Sequence, residues 1–216
     1  MGSDESSDEK PKHKVYLDAY WMGKYPVTNA QYAAFVKANG YKKPSHWKGE
    51  ISANKADHPV VWVDWKDAQA FCLWASKVSD KAVHLPSEAQ WEKAARGTNG
   101  RTYPWGEEAP NPRLLNFDEN VRDTTAVGSY PAGVSPYGAL DMAGNVWEWT
   151  ADWYGEDYYS KSPGKNPTGP ASGEKRVLRG GSWGSVVRHV RSANRGCYVP
   201  GDTDDVGGFR CAMTNK

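Results

Sequence analysis

The chain has 216 residues, with 27 basic and 26 acidic side chains and a net charge of +1. This balance gives no broad field for a nucleic acid or an anionic membrane, and no stretch approaches the ~20 apolar residues that cross a bilayer, so neither nucleic-acid binding nor direct membrane insertion is expected. The length suits one domain with a sizeable core, and the three cysteines cannot form a complete disulfide framework.

The first twelve residues, MGSDESSDEKPK, are polar and acidic and contain no aromatic side chain. Because such a segment has little apolar surface to bury, residues 1–12 are predicted to be a disordered acidic tail, and residues 13–216 a single domain. A leader removed from this end would favour a cell-surface or extracytoplasmic location; otherwise the location would be cytoplasmic.

Apolar residues alternating from Val15 predict a first strand, and three helices follow it. Each helix is preceded by a side chain that can cap its free N–H groups: Thr28, Asp64 and Ser87. Thr28 and Ser87 are each followed three residues later by a glutamine, which completes a capping box. The first of these helices is predicted to span residues 29–39.

Residues 138–155 combine three tryptophans with three carboxylates, Asp141, Glu148 and Asp152. The tryptophans require a core, and buried carboxylates require partners. A turn at Gly144 directs several oxygens to one side, an arrangement that suits calcium. Pairing of the same carboxylates with arginines is an equally good interpretation of the residues alone.

Five blocks resemble, in this order, the signature of the formylglycine-generating-enzyme family of C-type-lectin-like domains: HLPSEAQWEKAARG, YPWGEE, GALDMAGNVWEWTADWY, RVLRGGSW and GFRCA. The resemblance extends over about residues 15–212. It implies an α+β, C-type-lectin-like fold with mixed short sheets, flanking helices and long irregular loops. The fold alone does not define an activity.

The same resemblance implies two structural calcium sites. The side chains of Asp141 and Glu148 and the carbonyl groups of Gly144 and Val146 match one set of ligands. The other set is matched by Asn116, Phe117, Glu119 and Val121.

Catalysis is not expected, because formylglycine-generating enzymes hold copper through two cysteines, and Ser185 and Val190 stand at the matching positions. No copper is therefore expected. The five histidines are scattered, which disfavours an iron site. The string Gly180–Gly184 reads as G-x-S-x-G, but a nucleophile elbow needs a following helix, which the next residues do not predict.

The segment 184–207 lacks Lys, Glu, Gln, Met and Trp. Its residue types are ones that an AAC asparagine codon reaches by changes at adenines alone, which resembles the variable proteins of diversity-generating retroelements. This resemblance nominates the following ligand-binding or variable positions: Trp183, Gly184, Ser185, Val186, Val187, His189, Gly196, Cys197, Tyr198, Val199, Gly201, Asp202, Thr203, Asp204, Asp205, Val206 and Gly207.

The expected function is non-catalytic binding of an unknown protein or surface ligand by a diversified face at residues 183–207, since variable side chains are best carried on a rigid scaffold. Arginines are expected to brace that scaffold: Arg179, Arg188, Arg191 and Arg195. Two alternatives stay open, a formylglycine-generating-enzyme-like oxidoreductase relative and a structural envelope module of lipoprotein type.

Overall fold

The computed structural model describes residues 1–49 and 51–215. Glu50 and Lys216, the last residue of the predicted domain, lie outside the described residues. The described part contains three α-helices, seven short strands and five 3-10 turns. None of its helices has both the length and the apolar character needed to span a bilayer.

The helices are α1 (Asn29–Asn39), α2 (Trp65–Ser79) and α3 (Glu88–Arg96), each beginning after its predicted cap. The side chain of every cap accepts a hydrogen bond from the third helical N–H group, and the residue at that position bonds back to the N–H of the cap. The three N-terminal predictions are therefore confirmed, because a local signal controls them.

The strands form two sheets. A three-stranded sheet has the order β1 (Tyr20–Met22), β7 (Ala212–Thr214) and β2 (Ala82–His84), with both pairs antiparallel. A four-stranded sheet has the order β5 (Gly196–Tyr198), β4 (Arg176–Arg179), β3 (Trp147–Trp153) and β6 (Gly207–Gly208). Only the β3–β6 pair is parallel. The predicted first strand begins later than expected, at Tyr20 rather than Val15.

Short 3-10 turns punctuate the irregular segments at Ser7–Glu9, Ala53–Lys55, Pro131–Gly133, Tyr158–Ser160 and Val187–Val190. The main core joins α1 and α2 to the four-stranded sheet through Tyr32, Phe71 and Trp149. Trp149 is buried and its indole N–H donates to the carbonyl of Val63 at 3.1 Å. The apolar face of α2 and the central strand β3 thus share one core.

The N-terminal residues 1–12 pack on the domain, and the prediction of a disordered tail is corrected. Glu9 is fully buried and both its oxygens accept hydrogen bonds from Arg191 at 2.7 and 2.9 Å. The N–H of Gly2 donates to Glu92 at 2.8 Å, and a Cβ at Gly2 would lie 2.3 Å from the carbonyl oxygen of Glu9. Charge pairing, which hydrophobic composition does not reveal, holds this segment in place.

Candidate functional site

The nominated segment leaves β4, crosses the surface through the turn Val187–Val190 and strand β5, and returns at β6. It therefore begins beside one strand of the four-stranded sheet and ends on the far side of β3. The N–H of Trp183 donates to the carbonyl oxygen of Asn145 at 2.9 Å at the start of the segment. Strand pairing holds its middle and its end, because Leu178 pairs with Gly196 and Trp147 with Gly207.

Of the seventeen nominated positions, eight are exposed, seven are half-buried and two are buried. Val186, Val187 and Val199 are 42%, 46% and 48% exposed, values that packing in a core does not explain. Also exposed are Gly184, Gly201, Asp202, Thr203 and Asp205. Half-buried positions are Trp183, His189, Gly196, Cys197, Tyr198, Asp204 and Val206.

Two nominated positions are buried, and their assignment to the ligand-binding surface is corrected. The hydroxyl oxygen of Ser185 accepts a hydrogen bond from the N–H of Ser182 at 2.9 Å. Gly207 lies within the parallel β3–β6 pair, and a Cβ there would lie 3.0 Å from a carboxylate oxygen of Asp204. Both residues belong to the framework of the segment.

A buried ion-pair network lies directly beneath this surface. Arg179 is fully buried and donates to Glu92 at 2.7 Å and to the carbonyl oxygens of Ser192 and Ala193 at 2.7 and 2.9 Å. Arg195 donates to both oxygens of Glu88 at 2.7 and 3.1 Å. These two arginines fix the backbone between the turn and β5, as the sequence analysis expects.

Arg191 pairs with Glu9, so it also braces the structure. Arg188 does not, because it is exposed and its Nε donates to Nε2 of His189 at 2.9 Å. Burial, with Arg188 and then Arg191 adding to it, lowers the pKa of His189. The shift favours the neutral imidazole, and the ring is half-buried.

Aromatic rings flank the acidic end of the segment. The indole N–H of Trp183 donates to the carbonyl oxygen of Asp205 at 3.2 Å. The backbone N–H of Trp62 donates to the carbonyl oxygen of Asp204 at 2.8 Å. Tyr198 packs edge-on against Trp149 at 6.1 Å between ring centroids. Sequence reasoning missed Trp62; no local pattern marks it, although its φ of 59° is unusual for a tryptophan.

The positions that match the copper-binding cysteines hold no thiol. Ser185 and Val190 are both buried, and Val190 packs in an apolar cluster with Leu115 and Ala143. Ser182 is buried and is followed by the 3-10 turn Val187–Val190. Strand β4 precedes the serine but no α-helix follows it, so the geometry is not that of a nucleophile elbow.

The first predicted calcium site does not fit a divalent cation. Both oxygens of Glu148 accept hydrogen bonds from Arg210 at 2.7 Å, and one also accepts from the indole of Trp91 at 2.7 Å. Arg210 further donates to the carbonyl oxygens of Leu140 and Asp141 at 2.9 and 3.2 Å. A guanidinium thus supplies the positive charge at this turn.

The other predicted ligands of that site hold the turn together. Burial raises the pKa of Asp141 to about 6, and its carboxylate accepts from the N–H of Gly128 at 2.7 Å. A Cβ at Gly144 would lie 2.2 Å from the carbonyl oxygen of Asn116, so this glycine permits a close backbone contact. Val146 is buried beside it.

In the second predicted calcium site, one of the four predicted ligand residues has an oxygen atom that is available to a cation. Oδ1 of Asn116 is buried and has no hydrogen-bond partner. The carbonyl of Phe117 accepts from Asn120 at 3.0 Å, whereas Glu119 and Val121 are exposed. Within residues 1–49 and 51–215, no group of three His, Cys, Asp or Glu side chains is placed to hold a metal ion.

The short sheets, flanking helices and long loops define a C-type-lectin-like domain of formylglycine-generating-enzyme type. The solved structure of Treponema denticola variable protein 1 superposes with a TM-score of 0.83 and 27% sequence identity, covering 98% of this chain and 90% of that one. The predicted fold class is confirmed by this likeness.

The sequence profile of the sulfatase-modifying factor enzyme 1-like domain matches residues 1–215. The formylglycine-generating enzyme of Streptomyces coelicolor is 34% identical, over 94% of this chain and 81% of the enzyme. The serine/threonine-protein kinase pkn1 of Chlamydia caviae is 38% identical over 97% of this chain, but the chain spans only about a third of its length, 35%. The chain belongs to the sulfatase-modifying factor enzyme 1-like domain family.

Proposed function

We propose that the domain is a non-catalytic ligand-binding module whose recognition surface is formed by residues 183–207 and is diversified by a retroelement. The observation that carries the proposal is the division of the segment into exposed and buried positions. Val187 and Val199 project at the surface, whereas the positions between them that were not nominated include the buried Val190, Ser192 and Ala193. Side chains at the exposed positions can change without altering the core.

The hydrogen bonds of the buried arginines support this division into exposed and buried positions. Arg179 and Arg195 satisfy carboxylates and carbonyl oxygens without using a nominated side chain. Hydrogen bonds on the buried side therefore hold the backbone of the turn. Substitutions of the exposed side chains should change the free energy of unfolding little. A preorganised surface of this kind loses little conformational freedom on binding.

The likeness to Treponema denticola variable protein 1 supports the same interpretation. The oxidoreductase alternative draws on the formylglycine-generating enzyme relative, but Ser185 and Val190 replace the thiols that hold copper in that family. Because the kinase relatives are about three times longer than this chain, their activity is not assigned to it.

The division into an exposed surface and a buried frame is tested by measuring the stability of two variants. A combined variant with Val186→Ala, Val187→Ala and Val199→Ala removes three exposed side chains, and we expect its free energy of unfolding in urea to change by less than about 1 kcal/mol. The matched control is Val190→Ala at the buried valine of the same turn, which is expected to cost about 2 kcal/mol. An equal loss in both variants would show that the nominated valines are structural.

The oxidoreductase alternative is tested by titration with Cu(I) under anaerobic conditions, monitored by thiolate-to-metal absorption. We expect weak binding that saturates at no defined stoichiometry, because the family's thiolate pair is replaced. Tight binding of one equivalent at Cys197 would contradict the non-catalytic assignment.

We also propose that one structural calcium ion binds beside Asn116, where the unpartnered Oδ1 provides a ligand. The N–H groups of Asp118 and Glu119 donate to the carbonyl oxygens of Ser185 and Trp183, so order in this loop would stabilise the start of the recognition surface. We expect calcium to raise the melting temperature relative to a chelator, and Asn116→Ala to abolish that difference.

The control for the calcium experiment is Asn111→Ala in the same irregular segment, which should retain the calcium-dependent difference. Identical melting curves of the wild type in calcium and in chelator would exclude the ion.

A further inference from the structure

The outer edge of the three-stranded sheet is partly unpaired. Strand β1 lies at this edge, because the strand order is β1, β7, β2. The N–H of Gly23 donates to the carbonyl oxygen of Cys211 at 2.8 Å, in the same register as the β1–β7 pair. Hydrogen-bonded positions alternate along an antiparallel pair. Trp21 therefore bonds to β7, whereas the backbone N–H and C=O groups of Tyr20 and Met22 point away from it.

The chain itself pairs with this edge at one point. The carbonyl oxygen of Lys24, which follows the same alternation as Met22, accepts a hydrogen bond from the N–H of Leu140 at 2.8 Å. Within residues 1–49 and 51–215, no hydrogen bond reaches the outward backbone groups of Tyr20 and Met22. A cavity of about 450 Å³ lies beside β1, lined also by the C-terminal half of α3 and by residues 137–139. The edge is therefore open next to the point where Leu140 pairs with it.

The two faces of this edge differ in character. Met22 packs against Ala94 of α3. The hydroxyl of Tyr20 donates to the carbonyl oxygen of Gln90, also in α3, at 2.8 Å. Since successive side chains of a strand alternate between faces, Trp21 projects to the opposite face, and it is 51% exposed. A strand added beside β1 would thus meet α3 on one face and an exposed indole on the other.

Unpaired positive charge lines the cavity. Lys24 and Lys93 both line it, and within the described part of the chain neither ammonium group has an ion pair. The carboxylate of Asp18, which also lines the cavity, is already paired with Lys165 at 3.5 Å. The two lysines therefore favour an anionic partner. A second copy of the chain would bring the same lysines together across the paired edges, and like charges disfavour that arrangement.

We propose that the edge of β1 binds an extended peptide with acidic side chains, which joins the three-stranded sheet as a fourth strand. The backbone of the peptide pairs with the outward N–H and C=O groups of β1. Its carboxylates meet Lys24 and Lys93, and its apolar side chains pack against Trp21. The cavity shares no residue with the segment 183–207, so this site is separate from the proposed recognition surface.

The test uses the full chain and a pentapeptide with blocked ends that alternates valine and glutamate, Val-Glu-Val-Glu-Val. We expect it to bind with a dissociation constant tighter than about 1 mM. Amide hydrogen exchange followed by NMR should show protection of the N–H groups of Tyr20 and Met22 only when the peptide is present. The N–H of Trp21 should be protected in both states, because it pairs with β7. The same peptide methylated on every backbone nitrogen should bind at least about tenfold more weakly, since it cannot donate to the edge.

Charge reversal separates this site from unspecific attraction. Lys24→Glu combined with Lys93→Glu should weaken binding of the glutamate peptide at least about tenfold and favour its lysine counterpart, Val-Lys-Val-Lys-Val. Lys37→Glu on α1 is the matched control, because Lys37 is exposed and does not line the cavity. This control should bind the glutamate peptide as the wild type does.

Several outcomes would overturn the proposal. They are no binding of the glutamate peptide at about 1 mM, equal binding of the glutamate and lysine peptides, and binding that leaves the N–H groups of Tyr20 and Met22 unprotected. Protection that rises with protein concentration in the absence of peptide would show pairing between copies instead. Because the exchange measurement is made on the wild type, the test holds even if the double variant is unstable.

Discussion

Glu148 and Arg210 show how one buried charge pair can replace an expected metal ion. The arginine was not connected to the aromatic stretch by sequence reasoning, because 62 positions separate the two residues. Its guanidinium neutralises the carboxylate and also holds the turn through backbone carbonyl oxygens. Of the two partners considered for these carboxylates from the residues alone, arginine is the one that the geometry provides for Glu148.

We predict that Glu148→Gln lowers the free energy of unfolding by about 3 kcal/mol, because Arg210 would remain buried without a counter-charge. The measurement is urea denaturation at pH 7. The control is Asp157→Asn, which breaks an ion pair with Lys161 at the surface and should cost less than about 0.5 kcal/mol. Equal losses for the two variants would contradict this account of the buried pair.

Asp152 is predicted to make stability depend on pH. Burial raises its pKa to about 8, and the nearby carboxylate of Glu88 adds to the effect. The unfolded chain releases this proton near pH ~4. The folded state thus holds a proton that the unfolded state loses, and the stabilisation present below pH ~4 disappears as the pH rises toward 8.

Asp152→Asn mimics the protonated side chain, so its free energy of unfolding should fall less than that of the wild type between pH 5 and pH 8, by roughly 1 kcal/mol or more. Denaturation at a series of pH values measures the difference. Parallel pH profiles for the two proteins would show that Asp152 does not titrate in this range.

At the scale of elements, the N-terminal segment is part of the frame that supports the proposed recognition surface. Asp8 accepts a hydrogen bond from Arg195 through its carbonyl oxygen at 2.8 Å, and Glu9 pairs with Arg191. Both arginines flank the nominated positions. The segment thus links the start of the chain to the turn and strand that carry the proposed ligand-binding side chains.

We predict that Glu9→Ala lowers the melting temperature by about 5 °C, since it leaves Arg191 without its buried partner and exposes the network beneath it. Glu5→Ala is the matched control, because Glu5 approaches the same arginine at 3.4 Å from an exposed position. If both variants melt like the wild type, the segment does not contribute to stability.

Across the whole molecule, features with local causes were predictable from the sequence. The caps at Thr28, Asp64 and Ser87 determine where helices begin, since each needs only its next three residues. The family blocks then supplied the fold. The assignment of the exposed valines to a ligand-binding surface stays a prediction.

Features that depend on distant pairing were not predictable. The N-terminal segment is held in place by Arg191 and Arg195, which lie more than 180 positions away in the sequence. The burial of Ser185 also depends on how separate elements pack. A sequence pattern reports local preference, whereas these contacts come from the assembled fold.

The most direct test of the central claim is sequencing of the DNA beside the gene. We expect a reverse-transcriptase gene and a near-copy of the repeat that encodes residues 183–207, differing from it only where the template copy has adenine. Differences at other template bases, or the absence of both elements, would contradict a recognition surface diversified on an invariant frame.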